Sequence, residues 1–278
     1  MKMKELISEL REVLGEDYVV ESKIVEKPNG VRLQGIVIKK EGDRIAPTIY
    51  VNEGMTAEDV VKIYNDNKGD VIMNTNPESF MDSKFVLENV IPVMYNRELS
   101  SNILSDAVTV SKADLEMAFR VVVAETPDNR ATFLVKKSML EQIGITEQEL
   151  YDASIANIQG KGRVCDIMQM ILGLSKQLGV EDEIPEDLDA PMVVITGNDN
   201  MFGAAMIFDE SVRERLTRRY GEYYILPSSI NELIAVPKDG MDVGSLMAMV
   251  KEINGTQVAP GEVLSDNVYV FTDELEVA

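Results

Sequence analysis

The chain has 278 residues, with 48 Asp and Glu against 27 Lys and Arg, a net charge of -21, one cysteine and no histidine or tryptophan. Without histidine there is no Ser-His or Cys-His nucleophile pair, no imidazole base and no His-based zinc site, and Cys165 alone provides no internal disulfide, CxxC redox pair or cysteine zinc cluster. So acidic a body repels phosphate backbones and anionic membranes, so general nucleic-acid binding and membrane docking are disfavoured; the chemistry left over is that of carboxylates, lysine amines, Ser-Lys pairs and carboxylate-bound Mg²⁺ or Ca²⁺.

Met1-Lys2-Met3-Lys4 leads directly into an amphipathic helix, with Leu6, Ile7, Leu10, Val13 and Leu14 on one face and Gly15 as its stop. This is no apolar signal core. No later run approaches the roughly 18 apolar residues of a membrane helix, so a cytoplasmic location is expected. Residues 18–26 and 31–39 read as two strands joined at Pro28-Asn29-Gly30, since Asn-Gly between β-rich runs marks a hairpin. A third strand is expected over 45–51 and a helix from Thr56. Residues 66–80 are polar and turn-rich. A helix over 82–90 and a strand over 91–95 precede a boundary near 96–106.

In the second half, 119–124 and 131–135 read as a hairpin around Thr126-Pro127-Asp128-Asn129. A short helix then ends at Gly144. Thr146-x-x-Glu149 is a capping box opening a helix to about Ile158. Gly160-Lys161-Gly162 lacks the order and the following Ser or Thr of a phosphate-binding loop, and reads as a helix break. Residues 164–178 are expected to form a Met-rich helix carrying Cys165 in its core. The six acids of 181–191 read as a solvated linker, because the intervening prolines fit no calcium loop. Residues 192–196 and 202–208 read as another hairpin. Asp209 or Ser211 caps a helix to Tyr220, strands follow over 223–226 and 233–236, and a last helix covers 243–253. Hairpins with helices between them predict an α+β fold, antiparallel β-hairpins and sheets with helices packed on one face. Two lobes are expected, 1–105 and 106–278, the second holding the acidic linker at 181–191.

Two groups stand out as candidate binding residues. Arg215, Arg218 and Arg219 share a helix face and form a short basic stretch suited to a phosphate or an acidic peptide. Ser228, Ser229, Asn231 and Glu232 cluster between two apolar strands, and Ser229-x-x-Glu232 has capping-box spacing, so one helical turn is expected there. Neither group supplies a catalytic set, and no metal ligand set or cofactor motif is present.

Lys27-Pro28-Asn29-Gly30-Val31-Arg32-Leu33-Gln34-Gly35 with Ala46-Pro47-Thr48-Ile49-Tyr50 resembles the opening of an uncharacterised family of gut anaerobic bacteria and their mobile elements. Tyr224-Ile225-Leu226-Pro227-Ser228-Ser229-Ile230-Asn231-Glu232 and Gln257-Val258-Ala259-Pro260-Gly261-Glu262-Val263-Leu264-Ser265-Asp266 resemble its closing part. That pattern has His where this chain has Gln34 and Asn231, so no histidine-dependent role carries over. The family is a domain of unknown function, and the resemblance implies placement without an activity. The expectation is a non-catalytic cytoplasmic protein that binds a protein partner, an accessory factor of a mobile element or an anti-defence factor. The alternative is a carboxylate- or Mg-dependent enzyme, which would show buried carboxylates converging in one pocket.

Overall fold

The computed structural model describes residues 3–43, 46–67, 77–125, 130–167, 192–198 and 200–278. The turn at 126–129, the linker at 181–191 and most of the helix expected over 164–178 lie outside these residues.

The first layer comprises α1 (Met3–Leu14), β1 (Tyr18–Glu26), β2 (Arg32–Lys40), β3 (Thr48–Tyr50) and α2 (Ala57–Asn67). Strands β1 and β2 pair without a break from Tyr18↔Lys40 to Glu26↔Arg32, and β3 pairs with β2. The period-2 alternation turns Val20, Ile36, Ile38 and Ile49 to one face. The helices bury Leu6, Leu10, Val60 and Tyr64 against it. Thr56 and Asp59 exchange bonds at the start of α2: the Asp59 carboxylate accepts from the Thr56 amide at 2.9 Å, and Thr56 Oγ1 accepts from the Asp59 amide at 3.3 Å. The Pro28-Asn29-Gly30 hairpin signal becomes a single 3-10 turn with Asn29 at φ 56°, a left-handed position that asparagine tolerates.

The second layer is built on one long strand, β6 (Leu115–Glu125). Along one edge it pairs with β4 (Val90–Asn96). Along the other it pairs in series with β5 (Thr109–Lys112) and then β7 (Arg130–Leu134). Strand β5 and the single-turn α4 (Ser101–Leu104) have no clear sequence signal, being too short to show a period. The division expected at 105 falls inside this sheet, between β4 and β5, whereas the separate apolar cores divide between Tyr64 and Val86. Helix α3 (Ser83–Asn89) is capped by Asp82, whose carboxylate accepts from the Phe85 amide at 3.0 Å. Helix α5 (Lys137–Ile143) ends at Gly144, φ 78°, and α6 (Glu147–Ile158) opens with the expected Thr146–Glu149 capping box.

The third sheet runs in the order β13 (Leu275–Val277), β12 (Tyr269–Phe271), β10 (Tyr223–Leu226), β11 (Glu232–Pro237), β9 (Val193–Thr196), β8 (Arg163–Asp166), all antiparallel. Two sequence expectations are corrected here. Val164, Cys165 and Asp166 open no helix; they form the edge strand β8 against β9. Residues 203–208 are a buried 3-10 segment, Gly203–Phe208, and make no hairpin with β9. At Gly203 the backbone packs closely enough that a Cβ would meet the Asn231 carbonyl, the Gly197 amide at 2.6 Å and Thr196 Oγ1 at 2.6 Å. Both edges of β9 are already paired, one with β11 and the other with β8, so no edge is left for a hairpin partner. Helix α7 (Glu210–Tyr220) buries Val212 and Leu216 on one side of this sheet, and α8 (Val243–Thr256) buries Leu246 and Val250 on the other. The α+β class thus holds, with three antiparallel sheets among the described residues and helices laid on them.

Among the described residues Asp209 is the one carboxylate in the fully buried class. Burial would push its carboxyl up, but amide bonds from Gly162 and Gly160 and bonds from Ser211 outweigh it and hold the group below the usual carboxylate range. Its Oδ2 accepts from the Gly162 amide at 2.8 Å and its Oδ1 from the Ser211 amide at 2.9 Å. A carboxylate therefore already occupies the anion position of Gly160-Lys161-Gly162. Asn at 209 would turn a donor toward one of these amides, so Asp209→Asn should cost about 1–3 kcal/mol at pH 7. A depressed folded pKa stabilises above the unfolded value of about 3.9 and loses that contribution as pH falls through the folded value. Urea unfolding should accordingly show the gap between wild type and variant narrowing below about pH 4; a constant gap would contradict the assignment.

Candidate functional site

The hairpin tip of the first layer reaches across to the rest of the molecule through Asn29. Its Nδ2 donates to the carbonyls of Pro260 at 2.9 Å and Val263 at 2.7 Å. Its backbone amide donates to Ser100 Oγ at 3.1 Å, and that hydroxyl donates to Asn29 Oδ1 at 2.8 Å. Asn102 adds a bond to Glu26 at 3.2 Å. The segment that Asn29 holds is fixed from its other side. Asn96 Nδ2 donates to the Leu264 carbonyl at 2.7 Å. Asp114, in the turn between β5 and β6, accepts from Ser265 Oγ at 3.1 Å, Asn267 Nδ2 at 3.0 Å and the Tyr269 hydroxyl at 2.6 Å. Burial first, and then the Asp114 carboxylate, push the Tyr269 phenol well above its ordinary value.

These contacts leave a cleft of about 920 Å³ between the β1–β2 hairpin, the β4–β6–β7 face and the segment 259–262. Its floor follows from strand alternation. Met117, Phe119 and Val121 point into the main core, so Arg120 emerges on the opposite face, in register with Ile91 and Leu134. Arg120 is half-buried. Its Nε donates to Thr132 Oγ1 at 2.7 Å, one terminal nitrogen to the Tyr95 hydroxyl at 3.3 Å and the other to the Thr132 carbonyl at 3.4 Å. All three partners are neutral, and among the described residues no carboxylate forms an ion pair with it. The Phe202 ring lies 5.8 Å from the guanidinium carbon. At the hairpin wall the Lys27 ammonium sits 4.5 Å from the centre of the Tyr50 ring.

Phe202 is held in an unfavourable conformation, φ 54°, for a bulky side chain. Its amide donates to Asn231 Oδ1 at 3.1 Å, and Asn231 is in turn placed by Ser229, whose Oγ accepts from the Asn231 amide at 3.0 Å. Ser229 thus closes a tight turn, and its amide donates to the Glu232 carbonyl at 3.0 Å. No helical turn forms between β10 and β11, and Glu232 answers Ser228 Oγ, at 3.3 Å, in place of Ser229.

The candidate residues named from sequence are not brought into one site. Ser228, Ser229, Asn231 and Glu232 build the β10–β11 connection behind Phe202. Arg215 donates to the Gly162 carbonyl at 2.6 Å and to Ser211, and Arg219 pairs with Asp166 at 2.8 Å. Arg218 borders a shallow depression with Glu210, Arg213 and Glu214. None of the seven lines the cleft. The sequence does not mark Arg120, Lys27 and Phe202 as one site, because nothing in their spacing joins them. The segments that carry the resemblance, by contrast, do meet there: Lys27, Pro28 and Tyr50 from one end and Ile230, Pro260 and Glu262 from the other line the same cleft.

Carboxylates at the cleft do not converge. Glu26 pairs with Arg32 at 3.0 Å, and Asp106 with Lys136 at 3.6 Å. No group of three or more Cys, Asp or Glu is placed to hold a metal ion among the described residues. No helix among them is long and apolar enough to cross a membrane.

Because φ 54° suits glycine, Phe202→Gly should be more stable than Phe202→Ala by about 1 kcal/mol, reversing the ordinary order of these two residues. Denaturant unfolding of the two variants tests this; an alanine variant at least as stable as the glycine one would show that the left-handed backbone carries no strain.

A model of a family described as of unknown function, DUF5688, matches residues 3–273. No curated protein and no solved structure matches the chain.

Proposed function

Since the chain belongs to the DUF5688 family over nearly its whole length, and that family has no assigned activity, we propose from the cleft itself that this is a non-catalytic binding protein which receives part of a protein partner between the β1–β2 hairpin and the β4–β6–β7 face. The observation that carries this reading is Arg120. In a chain of net charge -21, a half-buried guanidinium inside a cleft has only neutral partners. Fixed in place by Thr132 and Tyr95 and faced by Phe202, it forms a positively charged recognition surface with an aromatic wall. The fixed hairpin and segment 257–266 favour a preformed site, which lowers the ordering cost of binding.

The acidic exterior favours encounter with a basic partner. We place that partner in the cytoplasm, with the chain as an accessory or anti-defence factor of a mobile element; the net charge and the resemblance of the end segments are the support for that setting. The carboxylate- or Mg-dependent enzyme has no comparable support, since the one fully buried carboxylate described, Asp209, serves backbone amides.

Ala259 lines the cleft and is exposed. Ala259→Trp should fill the cleft at little cost to stability. Affinity capture from extracts of the source organism should then lose the wild type's specific protein partner in this variant, with the unfolding temperature nearly unchanged. Identical capture by both proteins would refute the cleft as the binding site.

A further inference from the structure

We infer that the group entering this cleft is a carboxylate next to an apolar side chain, as at the C-terminus of a partner chain that ends in an aromatic residue. The inference rests on the reading of the cleft as the binding site and specifies its ligand chemistry.

Hydrogen-bond accounting gives the first argument. A guanidinium carries five N–H donors and no acceptor. Arg120 uses one on Thr132 Oγ1, one on the Thr132 carbonyl and one on the Tyr95 hydroxyl. One donor remains on each terminal nitrogen. A spare donor on each of two adjacent nitrogens suits the two oxygens of a planar oxyanion better than a single acceptor atom.

Charge gives the second. Among the cleft's ionised groups, Glu26 is paired with Arg32 and Asp106 with Lys136. Arg120 and Lys27 have no carboxylate partner, and Glu262, which also lines the cleft, has no side-chain partner among the described residues. The three acids and three bases that line the cleft balance, but Arg32, which lies outside the lining, pairs with Glu26 and so leaves Arg120 and Lys27 facing Glu262 alone, one positive charge in excess. A carboxylate does this; a phosphate dianion overshoots it, beside Glu262 and within an acidic body.

The walls give the third. Phe202 and Tyr50 present aromatic surface beside the guanidinium and the ammonium. The volume, about 920 Å³, accommodates a terminal aromatic residue with its neighbour and not a folded domain. Holding Phe202 at φ 54° has a cost that the fold maintains through Asn231, consistent with strain kept where a ligand is gripped.

The test uses the full chain and N-acetyl-phenylalanine, with its C-terminal amide and inorganic phosphate as controls, read by calorimetry and by chemical-shift changes. The acid should bind at least tenfold more tightly than the amide, and phosphate should not displace it. Arg120→Gln should lower the acid's affinity at least tenfold, Arg120→Lys less, and Lys27→Met two- to fivefold, with unfolding temperatures recorded for each. Equal binding of acid and amide, an unchanged affinity in folded Arg120→Gln and Lys27→Met, or displacement by phosphate would each overturn the inference. Should Ala259→Trp lose the captured partner while Arg120→Gln keeps it, cleft binding stands and the carboxylate is wrong. Should both keep it, the cleft reading falls as well.

Discussion

One side-chain amide holds the arrangement together. Asn29 closes the β1–β2 turn in a left-handed backbone, bonds the carbonyls of Pro260 and Val263, and exchanges hydrogen bonds with Ser100. Each of these acceptors belongs to irregular backbone or a single helical turn, which has no ladder of its own to satisfy it. Remove the amide and the carbonyls of 260 and 263 lose a partner, while the hairpin loses its orientation. The hairpin walls the cleft on that side, and this residue, with the Asn102–Glu26 bond, holds it there. Asparagine combines the two properties required: tolerance of positive φ and an amide with two donors and one acceptor.

Opposite that wall, the position of Arg120 is a consequence of sheet geometry. Strand β6 must present Met117, Phe119 and Val121 to the main core, which assigns Ala118 and Arg120 to the other face. Thr132 on β7 and Tyr95 on β4 then flank the guanidinium. A charge so placed could have been neutralised by a neighbouring acid, of which this chain has many. It is held by a hydroxyl, a phenol and a carbonyl, which orient it and leave its charge intact.

Local signals were readable where a short stretch settles its own structure. Thr146 with Glu149, Asp209 before its helix, Gly144 after one, and the β-rich runs of 18–26 and 31–39 around Asn-Gly need only their neighbours. Reading failed where distant backbone decides. Residues 202–208 have the apolar content of a strand, yet β9 is already paired on both edges, and a compact 3-10 course passes close to Asn231 and Gly197 in its place. Val164 and Cys165 are apolar enough for either a helix or an edge strand, and pairing with β9 chooses the strand. The cleft itself was invisible, since Lys27, Arg120 and Phe202 come from three elements brought together only by the sheets. The motifs at the two ends are legible as a resemblance, but not that they face one another.

That meeting of the ends has a consequence for biosynthesis. The bond from Asn29 to Val263 spans 234 residues. The first layer, with its own core from Leu6 to Tyr64, has what it needs to collapse as soon as it leaves the ribosome. Its hairpin tip then waits for residue 263, on the order of 10–50 s at ordinary elongation rates of about 5–20 residues per second. During that interval the wall-forming strands are present but the cleft is not. Binding competence is therefore acquired in one step near the end of translation, and a chain truncated before residue 260 would fold its first layer and still have no site.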